Sequence, residues 1–325
     1  MKRSDIAAMW DSTDMSYNSG FIVVKPTRFS FSVYRLMQQI TNKSKDLNDQ
    51  QALIKVISRL KSQNSWTNVG FLDKHVYACG KVYFESMRRL LPISDDPCSS
   101  INKINCSVLV VHNNWIYSKE AKIYRFREHL MWLYDEDDQY YSSKTRKYLT
   151  YANSRPSASN ITLSLAQQKE LTNRQVLALR TALTIGNLLN RAVILPIFYC
   201  ATKAFQCPLN SFVHIRTFDT FFSKQYRESS FLQHPRVPDA VKQNISDYEL
   251  VIHTTRSSFA DTVNTITSHN LRKLFKNSKD SVINYGILDR IQVIFSDDNT
   301  GVVLNEIMRR AIRMSDYRQQ KVREF

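Results

Sequence analysis

Residues 108–119 read VLVVHNNWIYSK, a short apolar run that ends abruptly in polar residues, a tryptophan and a lysine. The apolar run, residues 107–111, predicts a buried strand of an α/β sheet. His112 then follows the carboxyl end of that strand, where open α/β sheets bind their ligands. An imidazole there can ligate a divalent metal, and Lys119 at the start of the next helix can meet a phosphate. The alternative is a strand that runs into a capped helix, with a loop histidine that binds nothing.

The composition indicates a folded, basic protein. The chain has 325 residues, of which 43% are hydrophobic, and its 45 basic and 29 acidic residues give a net charge of +16. That excess favours anionic partners such as nucleotide phosphates, nucleic acid or an acidic membrane surface. Apart from the C-terminal tail, the basic residues are dispersed along the chain, and they form no nucleic-acid recognition motif with interleaved aromatics, so we expect no nucleic-acid partner.

The cysteines and the apolar segments bear on the compartment. Cys200 and Cys207 close a short loop and are the best disulfide candidates, whereas Cys79, Cys98 and Cys106 are either buried thiols or a second bridge. The first residues turn acidic and polar before an apolar core can build, so we expect no signal peptide. No uninterrupted apolar run reaches about 18 residues, so we expect no membrane-spanning segment.

The first half predicts alternating strands and helices. A strand at residues 21–25 is followed by a helix, and a second helix begins at about Asp49. A strand is predicted around residues 82–86, VYFES. A helix from about Lys119 to Tyr134 places four apolar side chains on one face, with Lys122 and Arg125 on its solvent face. The four apolar residues are Ile123, Phe126, Leu130 and Leu133.

The second half predicts another α/β domain. Residues 135–171 are polar and charged and predict a linker, which puts the domains at residues 1–134 and 172–325. Thr172 and Gln175 fit a capping box at the start of a helix that runs to about Asn190. Further strands are predicted at 192–195, 250–253 and 291–295, and a last helix from about Val303.

Five short motifs in the first half occur in a specific order. Asn18-Ser19-Gly20-Phe21 leads into a strand that ends in Pro-Thr, Asp49-Gln50 opens a helix, GKVYFE follows at 80–85, and HNNW with its lysine closes the set. This order resembles the C-terminal half of the nucleotide-diphospho-sugar transferase domain. That domain belongs to retaining glycosyltransferases with a Rossmann-like GT-A-type fold, among them plant cell-wall xylosyl- and arabinosyltransferases and invertebrate relatives.

The resemblance implies a role for each motif. The donor, a UDP- or GDP-sugar, would be bound by Asn18, Gly20, Asn113 and Lys119. Asp49 and Gln50 would be the catalytic pair beside the anomeric carbon, and His112 would complete a Mn²⁺ or Mg²⁺ site. The acceptor would be a glycan or a glycoprotein, in the Golgi or secretory-pathway lumen. Taken one by one, Asn18-Ser19-Gly20 is also an ordinary turn and Asp49 an ordinary helix-start residue.

Two departures from the family pattern qualify this implication. The family's Asp-x-Asp metal motif lies after an apolar strand, upstream of the Asn-Ser-Gly turn, whereas Asp11 and Asp14 here have the wrong spacing and no predicted strand before them. Ser118 stands where the family commonly has glycine, and its side chain would crowd a phosphate. We therefore expect an N-terminally truncated, inactive glycosyltransferase chain. The alternative is a non-catalytic fragment that serves binding or assembly.

The second half carries a shorter resemblance. Residues 174–200, RQVLALRTALTIGNLLNRAVILPIFYC, resemble the helix-LNR-strand-Pro unit of fucosyltransferase-like Rossmann domains. The alternative interpretation is the ordinary packing of a helix and a strand in an α/β domain.

Overall fold

The computed structural model shows an α/β protein in which the chain divides into two compact units, Met1–Tyr117 and Ser118–Phe325. Parallel strands and helices occur in both units, which confirms the predicted α/β class. The structure describes residues 4–11, 16–44, 46–62, 68–87, 108–135, 139–154, 163–200, 206–248, 253–255, 263–275, 278–288 and 291–294. Predictions for Asp14, Cys98, Cys106, residues 250–252 and the helix from Val303 lie outside the described residues.

The first unit contains two small sheets. In the larger one, β2 pairs antiparallel with β1, and β1 pairs parallel with β3. In the smaller one, β4 and β5 are parallel. The strands are β1 (Ile6–Trp10), β2 (Tyr17–Val24), β3 (Val69–Phe71), β4 (Tyr77–Cys79) and β5 (Val110–His112).

Strand β1 corrects the expectation that no strand precedes Asp11. Its sequence, IAAMW, is short and includes two alanines, which seldom signal a strand. It is nonetheless buried from Ile6 to Met9: β2 and β3 pair along its two edges, and Ile6 and Ala8 lie in the hydrophobic core of the unit. Asp11 therefore lies directly after the carboxyl end of a buried strand.

Two helices pack on this sheet as the apolar spacing predicts. They are α1 (Arg28–Lys43), whose N-cap Thr27 forms a capping box with Ser30, and α2 (Asp49–Ser62). Both helices contribute side chains to the core of the unit. The buried core residues are Ile6, Ala8, Val33, Met37, Ala52, Leu53, Val56, Ile57 and Val69.

Two predictions near the end of the first half are wrong. The strand predicted around VYFES is a π-helix, Lys81–Met87. The helix α3 (Lys119–Glu128) ends earlier than predicted, because Leu130 adopts a φ of 56° and closes a Schellman turn through the bond from Met131 N–H to the Phe126 carbonyl. Its buried residues are Ala121, Tyr124, Arg125 and Glu128, whereas Leu133 is exposed.

The second unit is built around a sheet of parallel strands in the order β10-β7-β6-β14-β11. The strands of this unit are β6 (Tyr148–Ala152), β7 (Ala192–Ile194), β8 (Phe198–Tyr199), β9 (Gln206–Cys207), β10 (Tyr226–Arg227), β11 (Ile245–Asp247), β12 (His253–Thr255), β13 (Val263–Thr267), β14 (Val282–Ile287) and β15 (Ile291–Ile294). The further helices are α4 (Leu165–Leu188), α5 (Ile215–Phe222), α6 (Asp239–Gln243) and α7 (Ser268–Phe275).

The predicted linker at 135–171 contains the central strand β6. Polar residues dominate this stretch, but the apolar faces of its tyrosines, among them Tyr141 and Tyr148, are buried in the sheet core. The helix after it begins with a capping box of Ser164 and Gln167, upstream of the predicted one. The predicted boundary at residue 134 also differs from the observed division after Tyr117.

The predicted disulfide is present between Cys200 and Cys207, which lie at the ends of the paired strands β8 and β9. Cys79 is a buried free thiol. Among the described residues, no helix has the length and the apolar character needed to cross a membrane.

Candidate functional site

The Asn-Ser-Gly turn lies at a bulge in β2. The register between β1 and β2 shifts there, so that Met9 pairs with Asn18 while Ala8 pairs with Ile22. The side chain of Asn18 is 3% exposed, and its Oδ1 accepts a hydrogen bond of 2.7 Å from the backbone N–H of Gly20. A bulge of this kind leaves its residues unpaired with the neighbouring strand and changes the direction of their side chains.

Gly20 lies directly against the imidazole of His112, the last residue of β5. A Cβ atom placed on Gly20 would be 2.3 Å from Nε2 of His112 and 2.5 Å from its Cε1. Real Cβ atoms do not approach a ring so closely, so glycine is the residue that lets the imidazole occupy this position. Two motifs that are far apart in the sequence thus meet.

The third motif reaches the same turn through Gln50. The backbone N–H of Ser19 donates to Gln50 Oε1 at 3.4 Å. Asn48 fixes where α2 begins, because its Oδ1 accepts from the backbone N–H of Gln51 and its own N–H donates to Gln51 Oε1. Asp49 is exposed at the first position of the helix, so of the predicted catalytic pair it is Gln50 that contacts the turn.

Asp11 joins the turn to the HNNW segment. Its Oδ1 accepts hydrogen bonds from Nδ2 of Asn18 and from Nδ2 of Asn114, the latter at 3.2 Å. Its backbone carbonyl accepts a bond of 2.6 Å from Nε1 of Trp115. On the other side, Asn114 Oδ1 accepts from the backbone N–H of Gly80 at 2.7 Å. One aspartate therefore holds both motif loops in a fixed relation.

The bridging role of Asp11 was not predicted, because in the sequence Asp11 belongs only to a pair of aspartates with the wrong spacing for a metal motif. The pairing with Asn114 spans 103 residues, which no local pattern reports. The signal that could have found it is the position of Asp11 at the carboxyl end of a buried strand, where α/β sheets place ligand-binding groups.

The described residues do not complete a metal site. Burial raises the pKa of the Cys79 thiol, and the charge of Asp11 raises it further, so this neighbour of His112 in the β4–β5 ladder is a neutral thiol. The Nε2 edge of His112 faces Gly20. Within the part of the chain that the structure describes, no three His, Cys, Asp or Glu side chains converge on one point. A hard divalent cation needs several oxygen ligands, so the metal role of His112 stays a prediction.

This cluster falls inside a segment with a known family pattern. Residues 2–126 match the nucleotide-diphospho-sugar transferase family. The resemblance that the ordered motifs carry is confirmed for that segment. Of the predicted site residues, the transferase segment brings together Asn18, Gly20, Gln50 and His112.

A longer but more distant likeness covers more of the chain. A curated plant protein, arabinosyltransferase XEG113 of Arabidopsis thaliana, is 21% identical over 285 residues. The alignment covers 76% of this chain and 42% of the plant protein, so the chain spans less than half of that relative. No solved structure matches the chain.

Two predicted site residues, Asn113 and Lys119, lie near the C-terminal end of the matched segment. Asn113 is 7% exposed. Lys119 is exposed at the first position of α3, which belongs to the second unit. Ser118 caps this helix, because its side chain accepts from the backbone N–H of Ala121 at 3.2 Å. Its φ of 75° and ψ of 152° lie in a region that is almost restricted to glycine.

Proposed function

We propose that the chain is part of a glycosyltransferase that transfers a sugar from a nucleotide-diphospho-sugar to a hydroxyl of a glycan or a protein. In this reaction the bond between the anomeric carbon and the diphosphate oxygen breaks, and a bond between the anomeric carbon and the acceptor oxygen forms. The acceptor hydroxyl gives up its proton, and the nucleoside diphosphate leaves with the electron pair of the broken bond. The new bond has the same anomeric configuration as the donor.

One observation carries this proposal: Asn18, Gly20, Gln50 and His112 come from three separate motifs and meet at one bulge in the transferase segment. A glycine that allows close approach, buried amide groups and an imidazole suit a ligand rich in oxygen atoms, such as a sugar diphosphate. The net charge of +16 also favours the binding of an anion such as a sugar diphosphate.

Each residue has a role that its own chemistry supports. Gly20 would position the imidazole of His112 at the donor site, because only a residue without a side chain leaves room for the ring beside the turn. Gln50, whose Oε1 is already oriented by Ser19, would present a carbonyl dipole to the positive charge that develops at the anomeric carbon. Asp49 would add a carboxylate from the exposed first turn of α2. Asn113 would add a further amide to donor binding, and Lys119 stays the predicted contact of the diphosphate.

We further propose an oxidising, Golgi-type compartment. The disulfide between Cys200 and Cys207 supports it, because such bonds persist in secretory compartments and are rare in the cytosol. Glycan and glycoprotein acceptors meet nucleotide-sugar donors in that compartment.

Calorimetric titration of the full chain with UDP-arabinose, UDP-xylose and a GDP-sugar, each with and without Mn²⁺, tests the proposal. We expect one of these donors to bind, and we expect Asn18→Ala and His112→Ala to weaken it at least tenfold. His75→Ala is the matched control, since His75 is an exposed histidine of the same unit. Binding that both histidine variants retain equally would overturn the assignment of the donor site.

Product analysis separates the two kinds of family member. Release of free sugar from the bound donor, detected by chromatography, would identify a catalytic protein. A donor that binds without turnover would instead support the non-catalytic alternative, in which the same residues serve binding or assembly.

A further inference from the structure

Trp115 is held in an unusual conformation beside the candidate site. Its φ is 58°, in the left-handed region that a bulky side chain rarely adopts. A residue in that region is strained and persists where the surrounding structure imposes it. Such an observed outlier is a reason to look for a function at the residue.

The ring of Trp115 is fixed and yet open to solvent. Its Nε1–H donates a hydrogen bond of 2.6 Å to the carbonyl of Asp11. Because the indole N–H is already used, a ligand would contact the faces of the ring. The residue is 51% exposed. A rigid aromatic side chain that is already ordered loses little conformational freedom when a ligand packs on it.

Two further contacts define the surroundings of this ring. Asp11, whose backbone carbonyl accepts from the indole N–H, also accepts through its carboxylate from Asn18 of the Asn-Ser-Gly turn. The ammonium of Lys81 lies 5.1 Å from the centroid of the Trp115 ring. The exposed indole therefore lies next to the Asn-Ser-Gly turn, and the ammonium of Lys81 lies over one of its faces.

We propose that Trp115 and Lys81 form the acceptor subsite, in which a sugar ring of the acceptor stacks on the exposed indole. This inference rests on the proposed function and adds to it a place for the second substrate. The C–H groups on one face of a sugar ring are apolar and carry partial positive charge, so they pack on the negative face of an aromatic ring. The position of the Lys81 ammonium shows the same preference of this ring for positive charge. Lys81 can in addition donate hydrogen bonds to acceptor hydroxyls.

The chain offers a matched control in Trp10. A lysine ammonium, that of Lys74, also lies over the Trp10 ring, at 5.8 Å from the centroid. The Trp10 ring packs on Phe71, with centroids 4.5 Å apart, and so uses its face within the protein. Substitution of either tryptophan removes an indole with a nearby lysine, but only Trp115 is proposed to bind acceptor.

The test uses the full chain and the variants Trp115→Phe, Trp115→Ala and Trp10→Phe. The probes are arabino-, xylo- and galacto-oligosaccharides as acceptors, and UDP as a nucleotide that carries no transferable sugar. Transfer kinetics give the KM of each acceptor, calorimetry gives the Kd of UDP, and circular dichroism checks that each variant is folded. Tryptophan fluorescence during acceptor titration gives a binding signal that does not depend on turnover.

We expect Trp115→Ala to raise the acceptor KM by about tenfold, with a smaller rise for Trp115→Phe and no change for Trp10→Phe. We also expect acceptor to change the fluorescence of the wild type and of Trp10→Phe but not of Trp115→Phe. Equal acceptor KM values in all variants would overturn the proposal. A weaker Kd for UDP with an unchanged acceptor KM would also overturn it, because Trp115 would then stack on the nucleobase.

Failure of the donor proposal has a different signature. If no nucleotide-sugar binds while oligosaccharides still change the Trp115 fluorescence, the sugar subsite stands and the transferase assignment fails. If nucleotide-sugars bind and turn over while oligosaccharides leave that fluorescence unchanged, the transferase assignment stands and the subsite fails.

Discussion

The two units place their polar side chains in opposite ways. In the first unit they lie at a strand bulge and a loop, where the backbone has special geometry and Trp115 is half exposed. In the second unit, charged side chains are enclosed in the core: Arg227 and Glu228 are 0% exposed and Glu128 is 7% exposed. The polar groups of the bulge and the loop lie where a ligand can reach them, whereas the enclosed charged residues of the second unit hold the fold together.

The buried charges of the second unit are joined by hydrogen bonds. Arg227 donates through Nη1 to the carbonyl of Tyr226 at 2.7 Å and through Nε to the carbonyl of Tyr140 at 3.3 Å. The hydroxyl of Tyr140 donates to Glu228 Oε2 at 2.6 Å.

Burial raises the pKa of Glu128 to about 8, while the charge of Arg125 lowers this pKa and the charge of Glu228 raises it. Glu128 is therefore mostly protonated at neutral pH.

The largest expected effect concerns Glu128. Because its pKa is about 8 when folded and near 4.5 as a free group, the folded chain binds more protons between those values. The contribution of Glu128 to the free energy of unfolding is then fully present below pH 4.5. It is lost as the pH rises towards 8, by on the order of 4 kcal/mol. Urea unfolding across this range, with hydrogen exchange of residues 119–128, measures the loss. We expect Glu128→Gln to abolish the loss, and the same loss in Glu128→Gln would contradict the assignment. Glu120→Gln, on the same helix, is the control.

The next effect concerns Arg227. We expect Arg227→Met to lower the free energy of unfolding of the second unit by about 3 kcal/mol, because two buried carbonyls lose their donor. Arg174→Met is the control: Arg174 is a partly exposed arginine paired with Glu170, and its loss is expected to change stability by less than about 0.5 kcal/mol. Denaturant titration gives the free energy of unfolding of each variant. Similar losses in both variants would contradict the stabilising role of the enclosed Arg227.

A smaller effect on stability, with a larger one on binding, is expected at Gly20. The Cβ of Gly20→Ala overlaps the ring of His112, so we expect a loss of about 2 kcal/mol and no donor binding. Adding His112→Ala vacates the ring position, so the double variant should regain stability without regaining binding. Thermal unfolding and calorimetry measure the two properties. A double variant as unstable as Gly20→Ala would show that the imidazole is not the obstacle.

The smallest effect is expected at Ser118, at the first residue of the second unit. Ser118→Gly removes the strain of the positive φ and loses the cap to Ala121, for a net gain of about 1 kcal/mol. Ser118→Ala keeps the strain and loses the cap, for a loss of about 1 kcal/mol. Thermal unfolding of both variants separates strain from capping. A destabilised Ser118→Gly would mean that the cap outweighs the strain.

Local patterns in the sequence predicted much of the framework. The apolar spacing of α1 and α2, the proline after the strand at 192–195 and the short Cys200–Cys207 loop all correspond to observed features. These succeed because a helix period, a proline stop and a loop closure depend on neighbouring residues only. The order of the polar motifs likewise led to the transferase family.

Features that depend on distant partners were not predictable in this way. The face of α3 buries Arg125 and Glu128, which look like solvent-facing residues until Glu228 and the surrounding tyrosines are placed. The stretch at 135–171 looks like a linker because its polar residues outnumber the tyrosines that anchor it. Asp11 has its partner Asn114 more than a hundred residues away.

Residue type and spacing were enough to predict the α/β class, helices α1 and α2 of the first unit, and the kinds of side chain at the candidate site. The contact of Gly20 with His112 and the bridge from Asp11 to Asn18 and Asn114 depend on the packed fold. This is because side-chain type and spacing fix local conformation, whereas contacts between strands follow from how the sheets close. A bulge of one strand meets the end of another only when both have been placed by the core between them.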